Sequence, residues 1–406
     1  MHNETSLIAT IAIGLAYAFV GGFVAIRLRL PPLIGYLVAG IAVGPFTPGF
    51  VGDAHIASQL AEIGVILLMF GVGMHFSVRD LWAVRSIAVP GALVQIAVAT
   101  ALGVGVAHLW GWSLGAGLVF GLALSVASTV VLLRALESSN SVDTPDGRIA
   151  VGWLIVEDLV MILALVLLPA FSAHLGGVQP AEDHTGGEGV WLSLGITLGK
   201  VALFVALMLV VGTRLFPWVL RHVERTKSRE LFTLAVVALA LGVAFGSAQL
   251  FGVSFALGAF FAGVVIHESK LSERAANDLQ PLQDAFGVLF FVAVGMLFDP
   301  MILVRQPLQV LAVLSIIVIG KSVVAFGIVL ALRRPLSTAL TVSAALAQIG
   351  EFSFILAVLG MSLGLLPPEG QQLILAGALL SITLNPLVFY AVSVLQPTPK
   401  AAAVSA

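Results

Sequence analysis

Long apolar runs alternate with short polar segments along almost the whole chain. Because a helix needs about 20 mostly apolar residues to cross a bilayer, each long run predicts one membrane-spanning helix. The pattern predicts an all-α membrane protein with about thirteen such helices. They lie near residues 5–26, 32–48, 57–76, 84–108, 113–136, 148–171, 190–214, 230–250, 253–268, 283–299, 308–332, 336–363 and 370–394.

The composition supports a membrane protein and excludes several classes of function. Apolar residues make up 59% of the chain and charged residues only 10%, whereas a soluble domain carries about 25% charged residues. A net charge of −2 gives no reason to expect nucleic acid as a partner. The chain contains no cysteine, so disulfides, thiolate metal sites and a cysteine nucleophile are excluded.

Lysine and arginine residues predict the orientation of the helices. If the N-terminus lies outside, 16 of the 19 basic residues fall in loops on the inner side, as the positive-inside rule requires. The loop at about 172–189 is acidic and is expected in the periplasm. We therefore expect a multi-pass protein of a bacterial inner membrane, with a periplasmic N-terminus and a cytoplasmic C-terminus.

Thirteen spans can be divided into two inverted six-helix repeats joined by a linker helix, a plan found in many secondary transporters. We predict one transmembrane domain of residues 1–395, followed by a cytosolic tail or truncation point at 396–406. Within the domain, the first repeat is 1–189, the linker is 190–229 and the second repeat is 230–395. The fifth and twelfth spans hold corresponding positions, and both contain small and polar residues at mid-depth. Such residues favour discontinuous helices whose freed backbone groups line an ion cavity.

Few ionisable side chains lie within the spans: Glu62, Glu157, Asp158, Lys200, Lys321 and Glu351. A charge at the membrane centre costs about 2.5–3.5 kcal/mol or more, so each needs a partner, water or a function. Glu157 and Asp158 are adjacent and point about 100° apart on a helix. We expect one to coordinate an ion while the other pairs with a neighbouring helix, for which Lys321 is the counter-charge.

Simpler structural roles compete with these assignments. Glu157 and Lys321 could form a buried ion pair that only fixes helix packing. The hydroxyls of the fifth span could bond to their own helix, and Glu351 could serve the second helix break alone. For Glu62 and Lys200, a satisfied or snorkelling charge is the better interpretation.

Several short stretches resemble the monovalent cation/proton antiporter-2 superfamily, and specifically the Kef-type potassium/proton antiporters. In order along the chain they are Gly35 to Gly40 with Gly44 and Pro45, Ala61 to Val65, Ala123 to Ser125, Gly258 to Gly263, Phe290 to Met296, and Gln348 to Phe352. No single stretch is decisive, but their order and spacing over about Pro31 to Pro386 make the resemblance specific.

This resemblance implies a homodimer in which a core of crossed, discontinuous helices moves against a dimerisation domain. It implies that Asp158 is the ion-binding aspartate, that Lys321 faces it, that Ser125, Ser128 and Thr129 form the first crossover, and that Gln348, Gly350 and Glu351 form the second. Kef-type proteins typically carry Gln where this chain has Glu157. They usually continue into a cytosolic nucleotide-binding regulatory domain, which we expect beyond the end of this chain if the protein has one.

The function expected is exchange of a monovalent cation, K⁺ first, for H⁺ by alternating access. Asp158 would bind either the proton or the cation, with Glu157, Ser125, Ser128 and Thr129 beside it. The alternatives are a Na⁺/H⁺ antiporter of the same fold and a gated K⁺ efflux channel. The chain contains no H-E-x-x-H motif, so we expect no enzyme, and no cofactor other than the transported ion.

Overall fold

The computed structural model describes residues 2–75, 78–139, 141–142, 144–178 and 190–395, and every regular element in this part of the chain is helical. The predicted all-α architecture is therefore confirmed. In chain order the helices are α1 (His2–Arg27), α2 (Pro32–Ala42), α3 (Ala54–His75), α4 (Val78–Leu109), α5 (Leu114–Ser125), α6 (Thr129–Ser138), α7 (Pro145–Phe171), α8 (Val190–Leu207), α9 (Thr213–Glu224), α10 (Arg229–Phe251), α11 (Phe255–His267), α12 (Ser272–Met296), α13 (Ile302–Arg305), α14 (Pro307–Ser315), α15 (Lys321–Ala331), α16 (Leu336–Ala345), α17 (Glu351–Ser362) and α18 (Pro368–Leu395).

Ten helices or helix pairs in the described residues are long and apolar enough to cross a membrane, and four shorter apolar helices accompany them. Their outer faces carry large apolar side chains such as Ile8, Phe19 and Leu308, each at least 70% exposed. Such faces suit contact with lipid rather than water. The chain is therefore a multi-pass membrane protein, while the number of crossings and the two inverted repeats stay predictions.

The chain folds into two compact units. The first unit contains Met1–Val78, Val160–Met301 and Leu359–Leu365, and the second contains Arg79–Leu159, Ile302–Val358 and Leu366–Ala406. Each unit thus takes helices from both predicted repeats. The predicted tail, 396–406, and most of the predicted periplasmic loop lie outside the described residues.

Small residues let the helices of the first unit pack closely. A Cβ atom added to Gly40 in α2 would lie 2.1 Å from the Val292 carbonyl oxygen of α12. Around this contact Ala18, Ala39 and Met296 are among the residues of a buried apolar cluster. Close packing of this kind is how helices associate where the surroundings are as apolar as the side chains.

Two helical segments of the second unit are interrupted, as the sequence predicts. The first break separates α5 from α6, and its residues Val126 and Ser128 have extended backbone angles. The second separates α16 from α17 at residues 346–350.

A π-helical turn, Ile316–Gly320, precedes Lys321 in α15. Such turns occur frequently at functional sites because they change the direction in which the next side chains point.

Candidate functional site

The two helix breaks cross each other inside the second unit, and Gln348 links them. Its Oε1 accepts a hydrogen bond from the Ser128 backbone N–H at 2.9 Å, and its Nε2 donates to the Ser128 carbonyl at 3.2 Å. Ser128 and Gln348 are both fully buried. A buried backbone group without a partner is costly, so the amide side chain of one break satisfies backbone groups of the other.

A glycine permits this crossing. A Cβ atom added to Gly350 would lie 2.4 Å from the Cα of Ser128. Only a residue without a side chain allows the two backbones to approach this closely. The predicted second-crossover residues, Gln348 and Gly350, are therefore in direct contact with the predicted first-crossover residue Ser128.

Glu157 of α7 is fully buried and bonds to the first break. Its Oε2 accepts the backbone N–H of Ala127 at 2.9 Å, while its Oε1 accepts a hydrogen bond from the side-chain amide of Gln95 in α4. Both oxygens are thus occupied by protein donors. This carboxylate stabilises an N–H group that no helix satisfies.

Lys321 has the corresponding role at the second break. It is 1% exposed, and its Nζ donates to the Gln348 carbonyl at 2.9 Å. The charges of Lys321 and Glu157 attract each other, but the ion pairs found among the described residues do not include a direct bridge between the two side chains. The structure thus places the expected counter-charge near Glu157 and bonds each of them to a different break.

Asp158, the next residue of α7, has a different environment. It is 5% exposed, and its Oδ2 accepts a long hydrogen bond of 3.4 Å from the hydroxyl of Thr129. Its Oδ1 is buried and has no hydrogen-bond partner among the described residues. A buried oxygen without a partner is unfavourable unless something else satisfies it. This oxygen is available to an ion, a water molecule or a proton.

Glu351 begins α17 at the second break and is also 5% exposed. It lies beside the hydroxyls of Ser128 and Thr129, while its Oε2 is buried without a geometrically satisfactory hydrogen bond. The structure therefore brings Asp158, Glu351 and Thr129 together at the crossing.

Both predicted serines make local hydrogen bonds. The Ser125 hydroxyl donates to the Leu122 carbonyl of its own helix at 2.7 Å, and the Ser128 Oγ accepts the Val131 N–H at the start of α6. Their assignment to the ion site stays a prediction, and Thr129 is the hydroxyl residue that bonds to Asp158.

The two ionisable residues for which a satisfied or snorkelling charge is the better interpretation lie in the first unit. Glu62 on α3 and Lys200 on α8 are both exposed there.

Sequence reasoning missed several buried polar residues. Besides Gln95, the hydroxyl of Ser353 donates to the Ala123 carbonyl at 2.6 Å, and the amide of Asn385 donates to the Ala344 carbonyl at 3.0 Å. All three stand in largely apolar helices. An amide in an apolar span is a usable signal, because it needs a partner there as a charge does.

Comparison with known proteins agrees with this architecture. Residues 14–393 match the model of the family described as sodium/hydrogen exchanger, transmembrane. The chain is 61% identical over 389 residues to the putative cation/proton antiporter YbaL of Escherichia coli, covering 96% of this chain and 69% of that protein. It is 34% identical over 391 residues to the K(+) efflux antiporter 4 of Arabidopsis thaliana, covering 96% of this chain and 64% of that protein.

A solved structure supports the fold. The sodium proton antiporter MjNhaP1 of Methanocaldococcus jannaschii matches with a TM-score of 0.70 at 15% identity, covering 95% of this chain and 98% of the other. At this identity the match concerns the fold alone. Together with the sequence relatives it confirms the resemblance to cation/proton antiporters, and the chain belongs to the sodium/hydrogen exchanger family of transmembrane proteins.

Proposed function

We propose that this protein exchanges a monovalent cation, K⁺ in the first place, for H⁺ across the membrane, and that Asp158 binds either of them. The observation that carries the proposal is the buried Oδ1 of Asp158, which has no protein partner at the crossing of two broken helices. Two relatives, the putative cation/proton antiporter YbaL and the K(+) efflux antiporter 4, support the same exchange by their names.

The residues of the crossing support competition between the two substrates. A proton on Asp158 removes the charge that attracts a cation, so the carboxylate binds one substrate or the other. The positive N-terminal end of α6 and the Thr129 hydroxyl stabilise the ionised carboxylate when it is empty. Alternate opening of the site to the two sides of the membrane then converts this competition into exchange.

Na⁺ is the second candidate cation, because the family that the chain matches is described as sodium/hydrogen exchanger. Both ions take oxygen ligands, and the number and spacing of these ligands determine which ion fits better. The K⁺ preference rests on the potassium relatives.

The test is reconstitution of the whole chain in proteoliposomes that contain a pH-sensitive dye. Addition of K⁺, Na⁺ or Li⁺ outside should drive H⁺ out of the liposomes, fastest with K⁺. D158N should abolish this flux while the purified protein remains folded and monodisperse. D53N is the matched control, because Asp53 is exposed and its substitute can still accept the bond from the His55 N–H.

The results separate the alternatives. Flux of D158N equal to that of the wild type rejects Asp158 as the exchange site. Cation movement without proton movement indicates a channel.

We also infer a homodimer in a bacterial inner membrane with its N-terminus in the periplasm, and the relationship to the Escherichia coli antiporter supports this location. Because the chain has no cysteine, single cysteines can be introduced at Gly111 and Thr226. Labelling of the first from the periplasmic side and of the second only after permeabilisation would agree with the predicted orientation. The opposite labelling would reverse it.

A further inference from the structure

Two carboxylate oxygens at the crossing have no hydrogen-bond partner in the described part of the chain: Oδ1 of Asp158 and Oε2 of Glu351. Both residues are 95% buried. Buried polar atoms in folded proteins are nearly always satisfied, so two unsatisfied acceptors in one place indicate that an ion, a water molecule or a proton binds there.

The two side chains share their surroundings. Thr129 donates its hydroxyl hydrogen to Asp158 and also lies beside Glu351. The carboxylate of Glu351 is also close enough to Asp158 for the two charges to repel each other. Two carboxylates that repel each other in a buried place are stabilised when one cation lies between them.

The other two buried charges are already engaged. Glu157 accepts bonds from Gln95 and Ala127, and Lys321 donates to a carbonyl. Their charges are opposite and largely offset each other. The remaining pair, Asp158 and Glu351, carries two negative charges when ionised, of which a monovalent cation balances only one.

We propose that Asp158 and Glu351 form a two-carboxylate cation site that accepts a divalent ion such as Mn²⁺ as well as a monovalent ion. Hard divalent cations of this kind prefer carboxylate, hydroxyl and water oxygens. No group of three or more His, Asp or Glu side chains able to hold a metal occurs among the described residues. The proposed site therefore takes only two carboxylates from the protein and would complete its shell with the Thr129 hydroxyl and water. The inference rests on the proposed function only in taking Asp158 as the place where the cation binds.

Binding of Mn²⁺ to the purified whole chain tests the site without requiring transport. Electron paramagnetic resonance of free Mn²⁺ measures how much of the ion is bound. The wild type should bind Mn²⁺, and E351Q and D158N should each weaken binding by at least about tenfold through loss of a charged ligand. E351D, which keeps the charge, should retain part of the affinity. The matched control is E369Q, because Glu369 is an exposed carboxylate of the same unit.

A second measurement connects the site to exchange. In proteoliposomes Mn²⁺ should raise the apparent KM for K⁺ in the wild type and in E369Q but not in E351Q. Absence of Mn²⁺ binding by the wild type, or equal binding by wild type, E351Q and D158N, overturns the two-carboxylate site. Mn²⁺ binding that depends on both acids, in a protein without cation-driven proton flux, supports the site and counts against the proposed function.

Discussion

Replacement of Gln348 by leucine tests whether the crossed breaks depend on the amide that links them. The change leaves the buried N–H of Ser128 without its acceptor, at a cost of about 1–3 kcal/mol. The Ser128 carbonyl loses one bond but keeps that from the Leu132 N–H, so a further loss of about 0.5–1.5 kcal/mol is expected. The free energy of unfolding should therefore fall by about 1.5–4.5 kcal/mol.

Unfolding in mixed micelles, followed by loss of circular dichroism as denaturing detergent increases, measures this difference. Q283L is the matched control. The Gln283 amide donates a hydrogen bond to the Leu67 carbonyl at 3.1 Å, and that carbonyl lies inside the continuous helix α3. Its loss should cost only about 0.5–1.5 kcal/mol.

If Gln348 holds the two breaks together, Q348L must lose more unfolding stability than Q283L. Q348L should also lose cation-driven proton flux, because the backbone beside Asp158 and Thr129 is no longer fixed. If Q348L is destabilised no more than Q283L and transports normally, Gln348 does not hold the breaks together and the account of the crossing is wrong.

Two further substitutions probe the same region. Q95L removes a donor to the buried carboxylate of Glu157, so unfolding stability should fall by about 1.5–3 kcal/mol, as for other hydrogen bonds to charged groups; an unchanged midpoint in the same denaturation assay would contradict this. G350A places a Cβ against the backbone of Ser128 and should cost about 1–3 kcal/mol with loss of flux, whereas G242A, where no atom lies within 4 Å, should lose neither stability nor flux.

The positions of the helix breaks could be predicted from the sequence because their cause is local. Gly350 and the hydroxyl residues near Ser128 weaken a helix wherever they stand, and charged residues are conspicuous in an apolar chain. These two signals point to Asp158, Lys321 and Glu351 in the sequence alone.

The partners of these residues depend on contacts between distant parts of the chain. Gln95 reaches Glu157 across 62 positions and Ser128 reaches Gln348 across 220. No local pattern encodes either distance. An expected ion pair between Glu157 and Lys321 followed from charge alone, whereas in the structure each side chain bonds to a backbone group freed by a helix break. Whether a buried charged side chain bonds to an opposite charge or to an unsatisfied backbone group depends on three-dimensional geometry, which the sequence does not show.

The helix breaks and the buried charges stabilise each other. A broken helix inside a membrane exposes N–H and C=O groups that lipid cannot satisfy, and buried charges need dipoles or counter-charges to be tolerated. Glu157 takes an N–H of one break, and Lys321 takes a carbonyl of the other. With those groups satisfied, the carboxylates of Asp158 and Glu351 retain unpartnered oxygens. A continuous helix in place of either break would leave Glu157 or Lys321 without its backbone partner. Both breaks are therefore required for the crossing to hold two fixed charges and to keep two carboxylates open to an ion.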